Sequence, residues 1–322
     1  MGVLKVRTSE EKARALKLKE LEKIDSYNKL VKSFEEKREK ENGQYDDQSL
    51  AVSKLVLVEN PEYYTIWNYR RNVMNQFKEK GTSDIQQVYQ NELKFIEECI
   101  QRYTKSYWIW YHRKWVTVRL DDCDWDRELK LCSKLLNLDL RNFHCWSYRR
   151  FVLENSKIPL EDEFKYTTSK IEQNFSNYSA WHQRSSILPK IYPEPEKLLE
   201  KVLEEFELVR SAVFTEPKDS SSWIYHKWLV ATLKSIPNSN YIDVLKNELE
   251  QINELIEMEP NCKCNIKKIL KFFFFTGPIY ITLLLKIEIG GYDKNELKET
   301  IQELIKLDND HINYYKHLET TI

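Results

Sequence analysis

Glycine and proline are scarce in this sequence, six and nine among 322 residues. A chain with so few breakers, and with abundant Leu, Lys and Glu, is poorly suited to a turn-rich β-sheet fold and well suited to helix. Charge of one sign is lacking too. Lys plus Arg number 50 against 51 for Asp plus Glu, a net charge of −1, so no basic field draws in nucleic acid. The longest apolar run, FFFFTGPIYITLLL (272–285), has fourteen residues and is interrupted by Gly277-Pro278. A membrane span needs roughly 20, so the run reads as a buried helix, a turn and a second helix. The opening MGVLKVRTSEEK has no apolar core of a secretory signal, and Val6 stands where a myristoylation motif needs Ser or Thr. Six cysteines without a signal peptide point to reduced thiols and a cytoplasmic location. Only Cys262 and Cys264 lie close together. With no second Cys or His pair at ligand spacing, no metal is expected on this chain.

What the chain does contain is material for a large core, 41% hydrophobic residues, arranged either as two ordinary domains or as one repeat array. Self-similarity decides between them. RNFHCWSYRRFV (141–152) has relatives in PEYYTIWNYRR (61–71), KSYWIWYHRKW (105–115), SNYSAWHQRSS (176–186) and DSSSWIYHKW (219–228). Their anchors are Trp67, Trp110, Trp146, Trp181 and Trp223, separated by 43, 36, 35 and 42 residues. Three positions after each stand Arg70, Arg113, Arg149, Arg184 and His226. Three positions before stand Tyr64, Tyr107, Phe143, Tyr178 and Ser220.

The upstream half repeats as well. Leu50, Leu93, Leu129, Phe164 and Phe206 lie seventeen residues before the tryptophans, and Leu57, Ile100, Leu136, Ile171 and Val213 lie ten before. Seven residues are two helical turns, so each pair shares one helix face. A short polar or Pro-containing connector follows, and the Trp segment opens a second helix. Each unit is therefore a helical hairpin. The same register, continued through Glu248-Leu249, Ile256 and Glu259-Pro260, puts Ile266 at the Trp position of a sixth unit. Glu296-Leu297 and Leu304 put Tyr314 there in a seventh. Degenerate end units are expected of such an array. Before the repeats, residues 1–47 read as an amphipathic helix and a linker. A capping box at Thr8–Glu11 starts the helix, a stripe of Leu21, Ile24, Tyr27, Leu30, Val31 and Phe34 runs along it, and ENGQYDD (41–47) follows. Residues 48–322 form the repeat domain.

The tryptophans are expected in the core between hairpins, with the preceding aromatics packed at the turns. The arginines are expected to reach carbonyls or a carboxylate of the adjacent unit. On pattern alone the molecule is a helical-repeat scaffold that binds another protein. Arg70-Arg71 and Arg149-Arg150 with their interleaved aromatics superficially suit nucleic acid. The near-neutral charge and the buried repeat position of these arginines argue against it.

The five Trp-centred blocks resemble the repeats of the protein prenyltransferase alpha-subunit family, over nearly the whole chain. The resemblance implies an all-α fold, an alpha-alpha superhelix: a crescent of about seven antiparallel helical hairpins wrapped around a beta subunit in an obligate heterodimer. MGVLKVRTSEE, RNFHCWSYRRFV and NFSNYSAWHQRS look most like the branch whose enzymes move geranylgeranyl from geranylgeranyl diphosphate to C-terminal cysteines of Rab GTPases, presented by Rab escort protein. It implies no cofactor on this chain and zinc on the beta subunit. A farnesyltransferase or type I geranylgeranyltransferase subunit is the alternative within the family, and the non-catalytic scaffold is the alternative outside it.

In such a reaction an allylic diphosphate leaves, and donors aimed at its oxygens lower the barrier. By the resemblance, Lys105-Ser106-Tyr107 matches the family motif K-x-Y, whose lysine and tyrosine reach towards the diphosphate, and His144 stands where the family has a histidine near the same phosphates. Lys105, Tyr107 and His144 are the candidate catalytic residues. Trp67, Trp110, Trp146, Trp181, Trp223, Arg70, Arg113, Arg149 and Arg184 are structural. Enzymes of the family that read a CaaX carboxylate carry glutamine after the K-x-Y tyrosine. Trp108 stands there instead and cannot make the same amide hydrogen bonds. Cys145, beside His144, occupies a position filled by Ile, Ala or Ser in the other blocks and reads as packing.

Overall fold

The computed structural model describes residues 10–81, 84–237, 239–258 and 276–322. These form fifteen α-helices, and no strand occurs among the described residues. In chain order they are α1 (Glu10–Glu41), α2 (Asp47–Glu59), α3 (Tyr64–Lys80), α4 (Ile85–Arg102), α5 (Tyr107–Thr117), α6 (Trp125–Leu138), α7 (Phe143–Asn155), α8 (Leu160–Gln173), α9 (Tyr178–Ile191), α10 (Pro195–Thr215), α11 (Ser220–Ser235), α12 (Tyr241–Met258), α13 (Thr276–Ile289), α14 (Lys294–Leu307) and α15 (Ile312–Thr321). No described helix is long and apolar enough to cross a membrane. The chain divides into two compact units, Met1–Lys157 and Ile158–Ile322. Ile266, Cys262, Cys264 and the Thr8-Ser9 half of the expected capping box lie outside the described residues.

The hairpins α2–α3, α4–α5 and α6–α7 in the first unit, and α8–α9 and α10–α11 in the second, are the five clear repeats. One set of bonds recurs in all of them. Each anchor indole donates from Nε1 to the carbonyl six residues earlier, in the connector. The five bonds are Trp67 to Pro61 at 2.8 Å, Trp110 to Thr104 at 2.8 Å, Trp146 to Leu140 at 2.9 Å, Trp181 to Phe175 at 2.7 Å and Trp223 to Pro217 at 2.8 Å. All five rings are buried. The tryptophan thus fills the space under its own turn and satisfies a backbone oxygen that the connector cannot bond itself.

The arginines behave as expected and reveal partners that the repeat pattern had not assigned. Arg70 donates from Nε to Glu92 Oε1 at 2.8 Å, and Arg113 clamps Glu128 with two bonds of 2.6 Å. Arg184 clamps Glu205 at 2.5 and 2.6 Å. Each carboxylate lies on the first helix of the next hairpin, and each takes a second donor from its own hairpin, two positions after that hairpin's Trp. Glu92 receives His112 Nε2 at 2.8 Å, Glu128 receives the Tyr148 hydroxyl at 2.6 Å, and Glu205 receives the Tyr225 hydroxyl at 2.7 Å. Glu163 receives the Gln183 amide at 3.0 Å. Every such glutamate is buried. A buried carboxylate is tolerable only when paired and hydrogen-bonded, so the Glu92, Glu128 and Glu205 nodes each fix the register of one hairpin on the next. Arg149 donates to the Leu129 carbonyl and to Ser133 Oγ within its own hairpin.

The ends of the array modify the scheme. In the first hairpin Ser49 stands where later units have glutamate, and α1 supplies the carboxylate. Glu41 accepts from the Tyr69 hydroxyl at 2.6 Å and from Ser49 Oγ. The α1 stripe is buried at Phe34 and half-buried at Tyr27, Leu30 and Val31, but Leu21 and Ile24 stay exposed. In the fifth hairpin His226 replaces arginine and bonds Glu248 at 3.2 Å, while Arg210 of α10 supplies the guanidinium at 2.6 Å.

Two expectations change. The aromatics three residues before the anchors do not pack at the turns: Tyr64, Tyr107, Phe143 and Tyr178 are all exposed. They open the second helices, where rings such as Tyr64 and Tyr107 touch side chains of neighbouring helices on one side and solvent on the other. The buried aromatic of the last hairpin is Tyr315, 4% exposed, and not Tyr314, 44% exposed. A 3-10 turn at Asn309–His311 precedes α15, and the Tyr315 hydroxyl bonds Asp308 at 2.8 Å. Of the apolar run 272–285, residues 272–275 lie outside the described residues; Gly277-Pro278 falls in the first turn of α13, where proline's missing N–H has no intrahelical partner to lose.

The His112–Glu92 node carries a pH prediction. Burial pushes the His112 imidazole below its ordinary pKa, with Arg70 and Arg71 acting the same way, although Glu92 opposes them. Glu92 is pushed down to about 2: burial alone would raise it, but Arg70 and His112 prevail. A histidine held neutral stabilises the fold fully above its unfolded value of about 6.5 and loses that contribution as pH falls. A depressed carboxylate contributes fully above about 4.3 and fades towards its folded value. The melting temperature is therefore expected to fall in two stages below about pH 6.5. His112→Tyr, the residue that two neighbouring units carry there, should flatten the upper stage alone. Unchanged melting of wild type between pH 7 and pH 5 would contradict it.

Candidate functional site

The three candidate residues come together where α5 and α7 begin. The segment 103–106 before α5 is tightly held. The Thr104 carbonyl accepts both the Trp110 indole at 2.8 Å and the Asn142 side-chain amide at 3.3 Å. Asn142 is itself the N-cap of α7, its Oδ1 accepting from the Cys145 amide at 3.0 Å. One buried asparagine thus ties the turn of the second hairpin to the start of the third, which fixes the Cα of Lys105 relative to α7. Above this support the Lys105 side chain is 73% exposed, and its Nζ rests 3.3 Å from Asp139 Oδ2 of the third hairpin.

Tyr107 opens α5 and is 64% exposed. His144 is the second residue of α7 and only 6% exposed. The imidazole lies edge-on to the Tyr107 ring at 4.3 Å and against Phe143 at 3.9 Å. Burial lowers its pKa, and Lys105's charge works in the same direction, against Glu62 and a hydrogen bond with the Lys105 backbone. His144 therefore sits neutral behind Tyr107 at neutral pH. It braces the ring and the Lys105 backbone. Lys105 and Tyr107 are the groups presented outwards.

Chemically this is a place for an anion. An ammonium and a phenol stand at the start of two helices, whose unpaired N–H groups and dipoles favour negative charge. Ser106, the N-cap of α5, makes no capping bond, and its buried hydroxyl has no hydrogen-bond partner. Trp108 is half-buried and lies against Tyr64 of α3 at 5.2 Å. Cys145 is wholly buried, its Sγ 3.5 Å from the Cys132 carbonyl, so it is packing and not a nucleophile. Among the described residues no group of three or more His, Cys, Asp or Glu side chains could hold a metal.

Two contributors were not singled out from the sequence. Asp139 and Asn142 hold Lys105 and its turn, and neither carries a repeat signature beyond the polar character of its connector. The carboxylate nodes had a signal: glutamate directly precedes the first apolar repeat position in Glu92-Leu93, Glu128-Leu129, Glu163-Phe164, Glu205-Phe206 and Glu248-Leu249.

The chain matches the family described as "Protein prenyltransferase alpha subunit repeat" at residues 46–77, 89–120, 125–156, 160–191 and 202–233. These spans coincide with the five hairpins. It is 73% identical over 322 residues to geranylgeranyl transferase type-2 subunit alpha of Dictyostelium discoideum, covering all of this chain and 99% of that one. It is 36% identical to the Candida albicans protein of the same description, covering 80% of this chain and 81% of that one. Against the Homo sapiens protein of that description identity is 42% over 236 residues, 71% of this chain but only 41% of the human one. Among solved structures, Candida albicans protein geranylgeranyltransferase-I complexed with GGPP superposes with a TM-score of 0.68 over 92% of this chain and 90% of that chain, at 19% identity. That likeness establishes the fold.

Proposed function

This chain belongs to the protein prenyltransferase alpha-subunit family, and we propose from that membership that it is the alpha subunit of a two-chain geranylgeranyl transferase of type 2. The reaction moves a geranylgeranyl group from its diphosphate to cysteine thiols at the C-termini of Rab GTPases, delivered by Rab escort protein. The beta subunit would be the second chain and would carry a zinc ion able to hold the attacking thiolate. The work of this chain is electrostatic. As the carbon–oxygen bond to the diphosphate breaks, negative charge grows on its oxygens. Lys105 leaves Asp139 to meet that charge, and the Tyr107 hydroxyl donates to it. His144, neutral and buried, keeps the phenol in place.

The single observation that carries this reading is the convergence of Lys105, Tyr107 and His144 on one pair of helix starts, in a chain 73% identical to a type-2 alpha subunit. Trp108 favours type 2 over an enzyme that reads a CaaX carboxylate. An indole tilted against Tyr64 has no acceptor and no second donor to offer such a carboxylate. The test is co-expression with a prenyltransferase beta subunit, purification through a tag on this chain, and transfer assays on a Rab with and without escort protein. Escort-dependent geranylgeranyl transfer by a stoichiometric complex is expected. Transfer to a CaaX peptide instead would move the assignment to type I, and soluble chains that fail to pair would leave a helical scaffold.

A further inference from the structure

Two adjacent arginines in the first hairpin have opposite surroundings. Arg70 is buried and clamps Glu92. Arg71, half-buried on the other side of α3, has no carboxylate within 4 Å among the described residues. Its Nη1 donates to His112 Nδ1 at 3.2 Å, its Nη2 donates to Asn68 Oδ1, and its guanidinium lies 5.2 Å from the Tyr111 ring centre. His112 donates its Nε2–H to Glu92 in a hydrogen bond, and burial holds its pKa below the ordinary value. Arg119, just beyond α5, is similar. Its guanidinium lies over the Trp115 indole at 3.9 Å, Nη1 donates to the Trp115 carbonyl at 2.9 Å, and again no carboxylate among the described residues is within ion-pair range. The two cations disfavour each other, and Arg71 is held below its ordinary pKa by burial and by Arg119.

These residues lie on one continuous face. Tyr64, Asn68 and Arg71 follow one another on α3. Tyr107, Tyr111, Trp115 and Arg119 do so along α5 and its end, at the spacing of one helix side. The face is aromatic beside the candidate site, where Tyr64 meets Trp108, and cationic at its far end. Tyr, Trp and Arg are the residues that dominate protein interface cores. Guanidiniums already stacked on rings lose little freedom when a carboxylate arrives.

We infer that the α3–α5 face is a docking surface for an acidic patch of the partner subunit, with Arg71 and Arg119 receiving its carboxylates. The inference rests on the proposed heterodimer and names where and by what chemistry it is held. A second copy of this chain is a poor occupant, because a two-fold contact would bring the cationic patch onto itself. Nucleic acid is a poor occupant because a chain of net charge −1 offers few cations here.

The experiment uses the co-expressed complex. Affinity and its salt dependence would be measured for wild type, Arg119→Glu, Arg71→Glu with Arg119→Glu, and the control Lys130→Glu on the exposed side of α6. Each reversal on the face is expected to weaken association roughly 10-fold, mainly in the on-rate, and to flatten its salt dependence. The control should match wild type. Arg119→Glu removes its stacking on Trp115 and its bond to the Trp115 carbonyl, so unchanged melting of the free chain separates docking from folding. A wild-type chain that pairs normally while both variants pair with the same affinity and salt slope would overturn this inference alone. Failure of wild type to pair would remove the heterodimer on which it rests. Self-association of the free chain that Arg119→Glu abolishes would assign the face to a second copy and overturn it as well.

Discussion

Lys105→Ala is expected to lower geranylgeranyl transfer by about 10²-fold, the scale of losing one donor aimed at charge that develops in the transition state. The loss should appear in kcat, with little change in assembly. The side chain is mostly exposed and its one ion pair, with Asp139 at 3.3 Å, is the kind of surface contact that adds little to stability. The turn beneath it depends on Thr104, Trp110 and Asn142, none of which the substitution touches. The Tyr107 hydroxyl remains as a donor, so activity should not vanish. Asp139→Asn gives the complementary measurement: it frees Lys105 from its resting partner, and activity should be kept. Wild-type turnover by a correctly assembled Lys105→Ala enzyme would sink the role.

The second large effect is on stability. Arg113→Ala leaves Glu128 buried with only the Tyr148 hydroxyl as partner. Breaking one side of a buried pair typically costs about 3–5 kcal/mol, because the remaining charge is left uncompensated in low dielectric. Urea unfolding should show a lower midpoint for the first unit. The triple replacement Arg113→Met, Glu128→Leu and Tyr148→Phe removes charge and hydroxyl together and should recover much of the loss. If single and triple variants unfold alike, the node contributes volume and not charge pairing. The recovered protein would still test a separate idea, that the node sets register. Impaired pairing with the partner subunit despite restored stability would support it.

The hairpins were legible because the interactions that build one are local and constant in spacing. Each indole bonds a carbonyl six residues back, and each Arg70-type side chain bonds the carbonyl twenty residues back, as in Arg70 to Leu50 and Arg113 to Leu93. Periodicity records such contacts directly. The arginine–glutamate clamps join neighbouring hairpins, and their separations of 22, 15 and 21 residues follow connectors of different length. No fixed ruler finds them, even though every glutamate stood beside a residue already used to set the register. The candidate site divides in the same way. Lys105 and Tyr107 belong to one short motif and could be named from it. That His144 lies behind Tyr107, that Asp139 holds Lys105, and that Asn142 anchors the turn all depend on how the third hairpin seats on the second.

By itself, then, the sequence determined the all-α class, the five repeats, the buried tryptophans and the residues of one candidate motif, since each of these is a pattern within a single hairpin. Only the tertiary structure decided which carboxylate each arginine meets, that the aromatics before the anchors face outwards, that Tyr315 and not Tyr314 enters the core, and that Arg71 and Arg119 go unpaired by any carboxylate among the described residues. These are contacts, or missing contacts, between segments far apart in the chain. Their energy comes from burial and charge neutralisation, which have no period along the sequence.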